Sequence, residues 1–429
     1  MELKAIHRML DDISVPNMMR VRQKFEDKAL TDISGEISQK FALGVYKEKI
    51  KPGMRVGITV GSRGIANMEE IVKAICGNIK RLGAEPCIIP AMGSHGEADA
   101  RGQADIIKDF GITGENVGAP VLSGMEVEKL GTTENGLDVY YDKIALSLDG
   151  VIVLNRVKAH TDIDGDIESG LHKIIAIGLG NHIGAEYLHA KGMSNTGTRL
   201  VPVARYAMEH ANILFGIAIL ENAYDHTAEI EFIEREKIID VEPVLLARSR
   251  TLLPGLLVND IDTLLVDFIG KEISGDGMDP NVIGRSMEGI KNKDIRIKHI
   301  IALDLSEGTG SNALGVGLAD ITTRRLYEKM EFEAMYTNAI TAQTLSGVRI
   351  PIVMENDMMA LKLSLKLNRL EDNSKARIAH VRNTVNLGQI ELSEAFLGEV
   401  EANPRLEILS PPSPVVFDKI GNLRVIGLN

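Results

Sequence analysis

Tryptophan is absent, aromatic residues make up 4% of the 429 positions, and only two cysteines occur, Cys76 and Cys87. A chain with few rings has little to stack nucleobases on. It also lacks a basic excess, because Asp and Glu outnumber Lys and Arg by 60 to 48, a formal net charge of −12. Both deficits argue against a nucleic-acid binder. Two cysteines without CxxC spacing make neither a disulfide framework nor a familiar metal knuckle, so a reducing compartment is expected. Asp11 and Asp12 fall where a signal peptide would need an apolar stretch. The longest apolar runs, such as residues 213–220, are far shorter than the ~20 residues that span a bilayer. The expectation is a soluble cytoplasmic protein with no membrane and no nucleic-acid partner.

What the chain has in excess is glycine, 41 residues, against a usual share of about 7%. Glycine serves where backbone turns sharply or approaches a ligand closely. Here glycines follow strand-like runs and sit beside polar residues. Residues 54–60 (MRVGITV) read as a strand, followed by GSRG and by Asn67 as a helix N-cap. Ile71, Val72, Ile75, Ile79 and Leu82 then recur at helical spacing, and Gly83 closes that helix. A second strand begins near Cys87 and ends in MGSHG. Strand, helix and strand in so short a span make a βαβ unit, which predicts a parallel sheet. The same grammar returns at 150–155, 213–220, 263–268, 298–305, 348–353 and 377–381, with helices such as 355–367 between. The predicted class is α/β: two α/β domains with mainly parallel sheets and a cleft between them. The boundary is set at Leu253-Pro254-Gly255, after a charged, helix-like stretch over 228–250. This gives a catalytic, cofactor-binding domain over 1–255 and a second α/β domain over 256–429. The closing segment, with Pro404, Pro411, Pro412 and Pro414, is expected to cross back over the first domain.

In open α/β sheets, ligands bind beyond the carboxyl ends of the strands. Gly61-Ser62-Arg63-Gly64 follows the first strand and leads into a helix, an arrangement suited to a phosphate or carboxylate. Gly93-Ser94-His95-Gly96 follows the second strand. Asn155 through His160 follows the third, and Ser169-Gly170-Leu171-His172-Lys173 opens an apolar stretch. Five of the ten histidines (His95, His160, His172, His182 and His189) lie between positions 95 and 189. His172, His182 and His189 lack the i, i+4 pairing of an HExxH helix, so no familiar zinc site is spelled out. Lys173 precedes apolar Ile174 and Ile175, and it reads equally as an activated amine or as an ordinary surface lysine. The remaining histidines, His7, His210, His226, His299 and His380, read as structural.

Taken in order, these segments resemble the nickel-pincer lactate racemase family, whose members racemise or epimerise 2-hydroxy acids. The resemblance runs through about residue 200. It implies a covalently held nickel pincer nucleotide (nickel pyridinium-3,5-bisthiocarboxylic acid mononucleotide) as cofactor. Gly61, Ser62 and Arg63 resemble the phosphate-binding turn, and Met92-Gly93-Ser94-His95 the segment bearing one acid/base histidine. His160 resembles the second acid/base. Ser169 and Gly170 lead to Lys173 in the tethering position, and His189 matches the spacing of the nickel ligand. Departures exist: the stretch from His160 to Lys173 is longer than the family pattern, and Leu171 replaces a glycine. Gly277-Met278-Asp279-Pro280-Asn281 resembles a turn in the family's second domain. The Gln and Lys that should follow it, to hold the substrate carboxylate, fall on Gly284 and Met287. Lys271 and Arg285 are the candidates to replace them.

The implied reaction removes a hydride and the hydroxyl proton together, forms a transient 2-keto acid, and returns both on the opposite face. Two bases are needed because the antipodes present their hydroxyls on opposite sides, and imidazole works in either direction near neutrality. The implied partners are a small-molecule hydroxy acid and the enzymes that assemble the cofactor, with a homo-oligomer also considered. Three other readings stay open: a sugar-acid 2-epimerase with the same cofactor, a cofactor-free small-anion sensor, and a metal-dependent hydro-lyase using His95 and His160.

Overall fold

The computed structural model describes residues 4–161, 163, 165–190, 196–287, 289–290 and 294–427. The protein is an α/β structure whose chain divides into two compact units, Glu26–Leu253 and Met1–Phe25 together with Pro254–Asn429. The division at Leu253–Pro254 falls on the Leu-Pro-Gly stretch. The strand Met18–Gln23, grouped with the N-terminal domain on sequence, pairs instead with the sheet of the other unit.

The unit Glu26–Leu253 is built on a five-stranded sheet. Its spatial order is Glu85–Pro90, Arg55–Val60, Gly150–Arg156, Ile213–Glu221, Thr227–Glu234. The first four strands are parallel to one another. The fifth returns antiparallel beside Ile213–Glu221. This last strand corrects the helix-like reading of 228–250. Ala228, Ile230 and Phe232 alternate inward while Glu229 and Glu231 lean outward, a period of two. Helix begins only at Ile238 and runs to Leu252.

The helix Met68–Arg81 covers one face of the sheet with Ile71, Val72, Ile75 and Ile79, against Val56, Ile58, Ile152 and Leu154. Asn67 takes the N-cap position at φ 58° but makes no capping bond. Its Oδ1 instead accepts from the Thr227 hydroxyl at 3.0 Å, a correction to its sequence reading. The other face holds Leu171, the π-helical turn Ile174–Gly178 and the helix Ile238–Leu252, packed on Val151, Val153, Ala218 and Leu220. The strand Arg55–Val60 thus has its successor on one side and Gly150–Arg156 on the other. This is the reversal point at which open α/β sheets bind ligands. A two-stranded hairpin, Val127–Thr132 with Asp138–Asp142, stands apart from the sheet.

The second unit carries an eight-stranded sheet. Its parallel part comprises Ile352–Met354, Ile321–Thr323, Ile297–Leu305, Ile261–Ile269 and Ile378–Val381. Gln389–Ser393, Met18–Gln23 and Leu406–Ile408 extend it antiparallel. The closing segment makes its described bonds within this unit. Ser413 bridges Met18, and the Leu423 amide donates to Asp357 at 2.8 Å. Among the described residues no helix is long and apolar enough to cross a membrane.

His380 lies at the centre of this sheet, 1% exposed, bonded to Asp267 at 2.8 Å and to Glu391 at 3.0 Å. Burial opposes its charge, but the two carboxylates outweigh burial and raise its pKa to about 10. A histidine raised in the folded state adds stability that is complete below its unfolded value of ~6.5 and fades as pH climbs towards about 10. Urea unfolding followed from pH 6 to pH 9.5 should therefore show stability falling, by an amount on the order of a few kcal/mol. His380→Gln should flatten that slope; an unchanged slope in the variant would remove His380 as its source.

Candidate active site

Four segments meet at the carboxyl edge of the sheet of Glu26–Leu253. The first is the turn after Arg55–Val60. Gly61 lies against the Asn155 side chain and Ile174: a Cβ built on it would stand 3.5 Å from Asn155 Oδ1 and 3.4 Å from Ile174 Cδ1. Ser62 is half-buried and Arg63 exposed. The far end of this turn is tied down, since the Ala66 amide donates to Glu221 Oε1 at 2.5 Å. The other oxygen of Glu221 pairs with Arg156.

The second segment is the turn after Glu85–Pro90. Gly93 adopts φ +61°, a conformation that favours glycine. A side chain there would also press on Ile177 and Ala185, at 3.1 and 3.2 Å. Its amide donates to the Gly178 carbonyl at 3.3 Å. The turn that carries His95 is thereby docked on the π-helical turn that follows Lys173. Buried Gln103 donates to the Gly93 carbonyl at 3.0 Å from behind.

His95 Nδ1 lies 2.8 Å from the Met92 carbonyl. A carbonyl only accepts, so Nδ1 carries the proton in the neutral ring, and Nε2 is left as the bare, basic nitrogen. Part of the residue remains exposed, yet lost hydration is the largest cause holding its pKa below the ordinary histidine range. The positive charges of Arg63 and Lys173 add to that lowering, partly offset by the Met92 carbonyl. His189, the last residue of the helix Asn181–His189, is lowered in the same way. Desolvation dominates there too, followed by the charges of Lys173, His95 and Arg199. Arg63 and Lys173 therefore act on His95, and Lys173 and His95 on His189, across more than a hundred positions of sequence. Both imidazoles are biased towards the neutral form that a base or a metal ligand requires.

The third segment follows Gly150–Arg156. The His160 amide donates to Glu168 Oε2 at 2.6 Å, and the other oxygen of Glu168 receives a guanidinium bond from Arg250 at 2.6 Å. His160 Nδ1 accepts from the Ile163 amide at 3.2 Å. In the neutral ring the proton is then on Nε2, the reverse of His95. His95 and His160 follow the strands on either side of Arg55–Val60, so they flank the Gly61 turn at one edge of the sheet.

The fourth segment holds Ser169, Gly170 and Lys173. Ser169 bridges Lys158 through its carbonyl, at 2.9 Å. The Gly170 carbonyl accepts from Asn155 Nδ2 at 2.9 Å. Lys173 is half-buried at the end of the short helix Leu171–Lys173. His172 is fully buried against Glu242, and His182 is exposed beside Glu186. Sequence reasoning named Asn155 only as part of its segment, without a role, and missed Arg199 and Glu242. Asn155 had a signal, its place at the end of a central strand.

In the other unit, Lys271 is exposed and its ammonium donates to Asn338 Oδ1 at 2.6 Å. The Arg285 guanidinium donates to Asp320 and to the carbonyls of Leu318, Ile297 and Lys298, at 2.8–3.2 Å. Those four bonds give Arg285 a structural task. Among the described residues no three His, Cys, Asp or Glu side chains gather as a metal site.

No protein-family model matches the chain, and no curated protein does. Among solved structures, the lactate racemase apoprotein from Thermoanaerobacterium thermosaccharolyticum is similar in fold. It shares 11% identity at a TM-score of 0.51, over 86% of this chain and 99% of that one. The electrostatic coupling predicts that Lys173→Met will raise the titration midpoints of both His95 and His189, read from imidazole C–H signals by NMR. If neither moves, Lys173 is not the neighbour described. The fold of this chain is lactate-racemase-like.

Proposed function

We propose that the protein is an isomerase that racemises or epimerises a 2-hydroxy acid. The observation that carries this reading is the placement of two histidines after the strands that flank Arg55–Val60, each ring oriented by a backbone hydrogen bond at Nδ1. Inversion in either direction needs one imidazole ready to take the hydroxyl proton and another ready to give one. His95 offers a bare Nε2. His160 carries its proton on Nε2. In its neutral form His160 can only offer that N–H as a hydrogen bond; it gives a proton as the doubly protonated imidazolium, so a balanced inversion begins with His95 neutral and His160 charged and ends with the two reversed.

The residues present fit a nickel pincer nucleotide. Lys173 offers the tethering amine, His189 a neutral nitrogen for the metal, and Gly61, Ser62 and Arg63 a phosphate-binding turn, with Ser169 and Gly170 lining the approach to the lysine. When bound, that group supplies the acceptor and donor of hydride. The protein's own contribution is proton management and placement. Lowered basicity keeps His95 neutral at pH 7, so it can abstract a proton without first losing one. Glu168 and Ile163 hold the His160 backbone and ring so that Nε2 is the exchanging nitrogen. The enzymes that assemble the cofactor are the partners this reading requires.

The test is mass spectrometry of the protein produced together with cofactor-assembly enzymes, with nickel measured on the same sample. The expected result is an adduct on Lys173 and about one nickel per chain. Unmodified Lys173 in that setting would overturn the reading in favour of an anion sensor or a hydro-lyase. In the loaded protein, His95→Ala or His160→Ala should cut inversion of a single-enantiomer hydroxy acid by roughly 10²–10⁴-fold while leaving the adduct in place.

A further inference from the structure

The residue before Lys173 is the most deeply buried histidine of the unit. His172 is 0% exposed and its partner Glu242, on the helix Ile238–Leu252, is 1% exposed. A single carboxylate oxygen, Glu242 Oε2, accepts twice from this one residue: from the His172 backbone amide at 3.0 Å and from ring Nδ1 at 2.7 Å. The second oxygen, Oε1, faces Gly170. A Cβ at that position would overlap it. Because Gly170 is extended, at φ 173°, space and not backbone angle calls for glycine there. From the opposite side Asn155 donates to the Gly170 carbonyl. The turn Gly170–Lys173 is thus gripped at its carbonyl by the sheet and at its amide and ring by the next helix.

A purely structural account does not explain this choice. Glu242 Oε1 and His172 Nε2 are both buried and, among the described residues, have no hydrogen-bond partner. Apolar side chains of similar volume would fill the same space without leaving two polar atoms unmatched. What the pair provides that apolar packing does not is direction. Two bonds to one oxygen fix the rotation of the helical turn about its axis. Lys173 follows at the next position, and the backbone then widens into the π-helical turn Ile174–Gly178. Such widened turns often occur at functional sites.

We infer that Glu242, acting through His172, is a positioning residue that fixes the turn carrying Lys173. The distance between these elements in sequence means that a loosened turn would carry the lysine away from both His95 and His189. Part of the test rests on the function proposed above and part does not. Without cofactor, Glu242→Leu, which removes the accepting oxygen, should move the His95 titration midpoint upward, towards that of Lys173→Met. Adding Lys173→Met to Glu242→Leu should move it little further, since the lysine is no longer held in place. A role confined to stability would leave the His95 midpoint and its response to Lys173→Met unchanged. Gly170→Ala, which displaces the carboxylate while keeping both partners, is a second route to the same shift should Glu242→Leu fold poorly. Circular dichroism and thermal melting establish which variants are folded. In protein made with the cofactor-assembly enzymes, adduct on Lys173 should fall several-fold in the same variants. Folded variants with the wild-type His95 midpoint would overturn the inference. Absence of any adduct in the wild type would overturn the functional reading alone, because the titration comparison needs no cofactor.

Discussion

One contact makes the site possible: the docking of the Gly93 turn on the π-helical turn after Lys173. The Gly93 amide bonds to the Gly178 carbonyl, and its missing side chain leaves room for Ile177 and Ala185. Ala185 is one helical turn before His189, and His95 is two residues beyond Gly93. A backbone contact of a few ångströms therefore gathers groups from three separate segments. Widening of the helix at Ile174–Gly178 is part of the same fit, since a Cβ on Gly178 would stand 2.6 Å from the Ala91 carbonyl. Loss of that closeness would separate the charges that lower both imidazoles.

The second constraint is the sheet reversal beside Arg55–Val60. Parallel strands place all their carboxyl ends on one edge, and the change of helix layer leaves the space above that edge open. Gly61, Asn155 and Gly170 occupy it. The tautomers of His95 and His160 then follow from local backbone: a carbonyl faces one Nδ1 and an amide faces the other. Neither arrangement needs a distant partner, so the opposite proton assignments are written into the two turns themselves.

Much of the fold was legible because apolar runs and glycines mark parallel strands plainly. The strands at 55–60, 85–90, 150–156 and 213–221 fall within two residues of their sequence reading. Residues 227–234 were misread because Glu at alternate positions resembles a charged helix until the period is counted. The hairpin of Val127–Asp142 and the strand Met18–Gln23 carry weaker patterns, with charged residues inside each. Of the site, the turns were readable and their supports were not. Glu242 sits mid-helix beside Pro243, where a lone carboxylate looks solvated; only the packing of Leu171 and His172 against that helix makes it interior. Arg285 shows the converse, a charge that looked available on sequence and is taken up by Asp320 and the carbonyls of Leu318, Ile297 and Lys298.

The pairing of Met18–Gln23 with Gln389–Ser393 and Leu406–Ile408 has a consequence for synthesis. This strand is synthesised before residues 26–253 and both its neighbours after them. The intervening residues 26–253 complete their own sheet without it and are free to fold while the remainder is being made. Closure of the other unit waits until Gln389–Ser393 and Leu406–Ile408 have been made, a long-range step of the kind that sets slow folding rates.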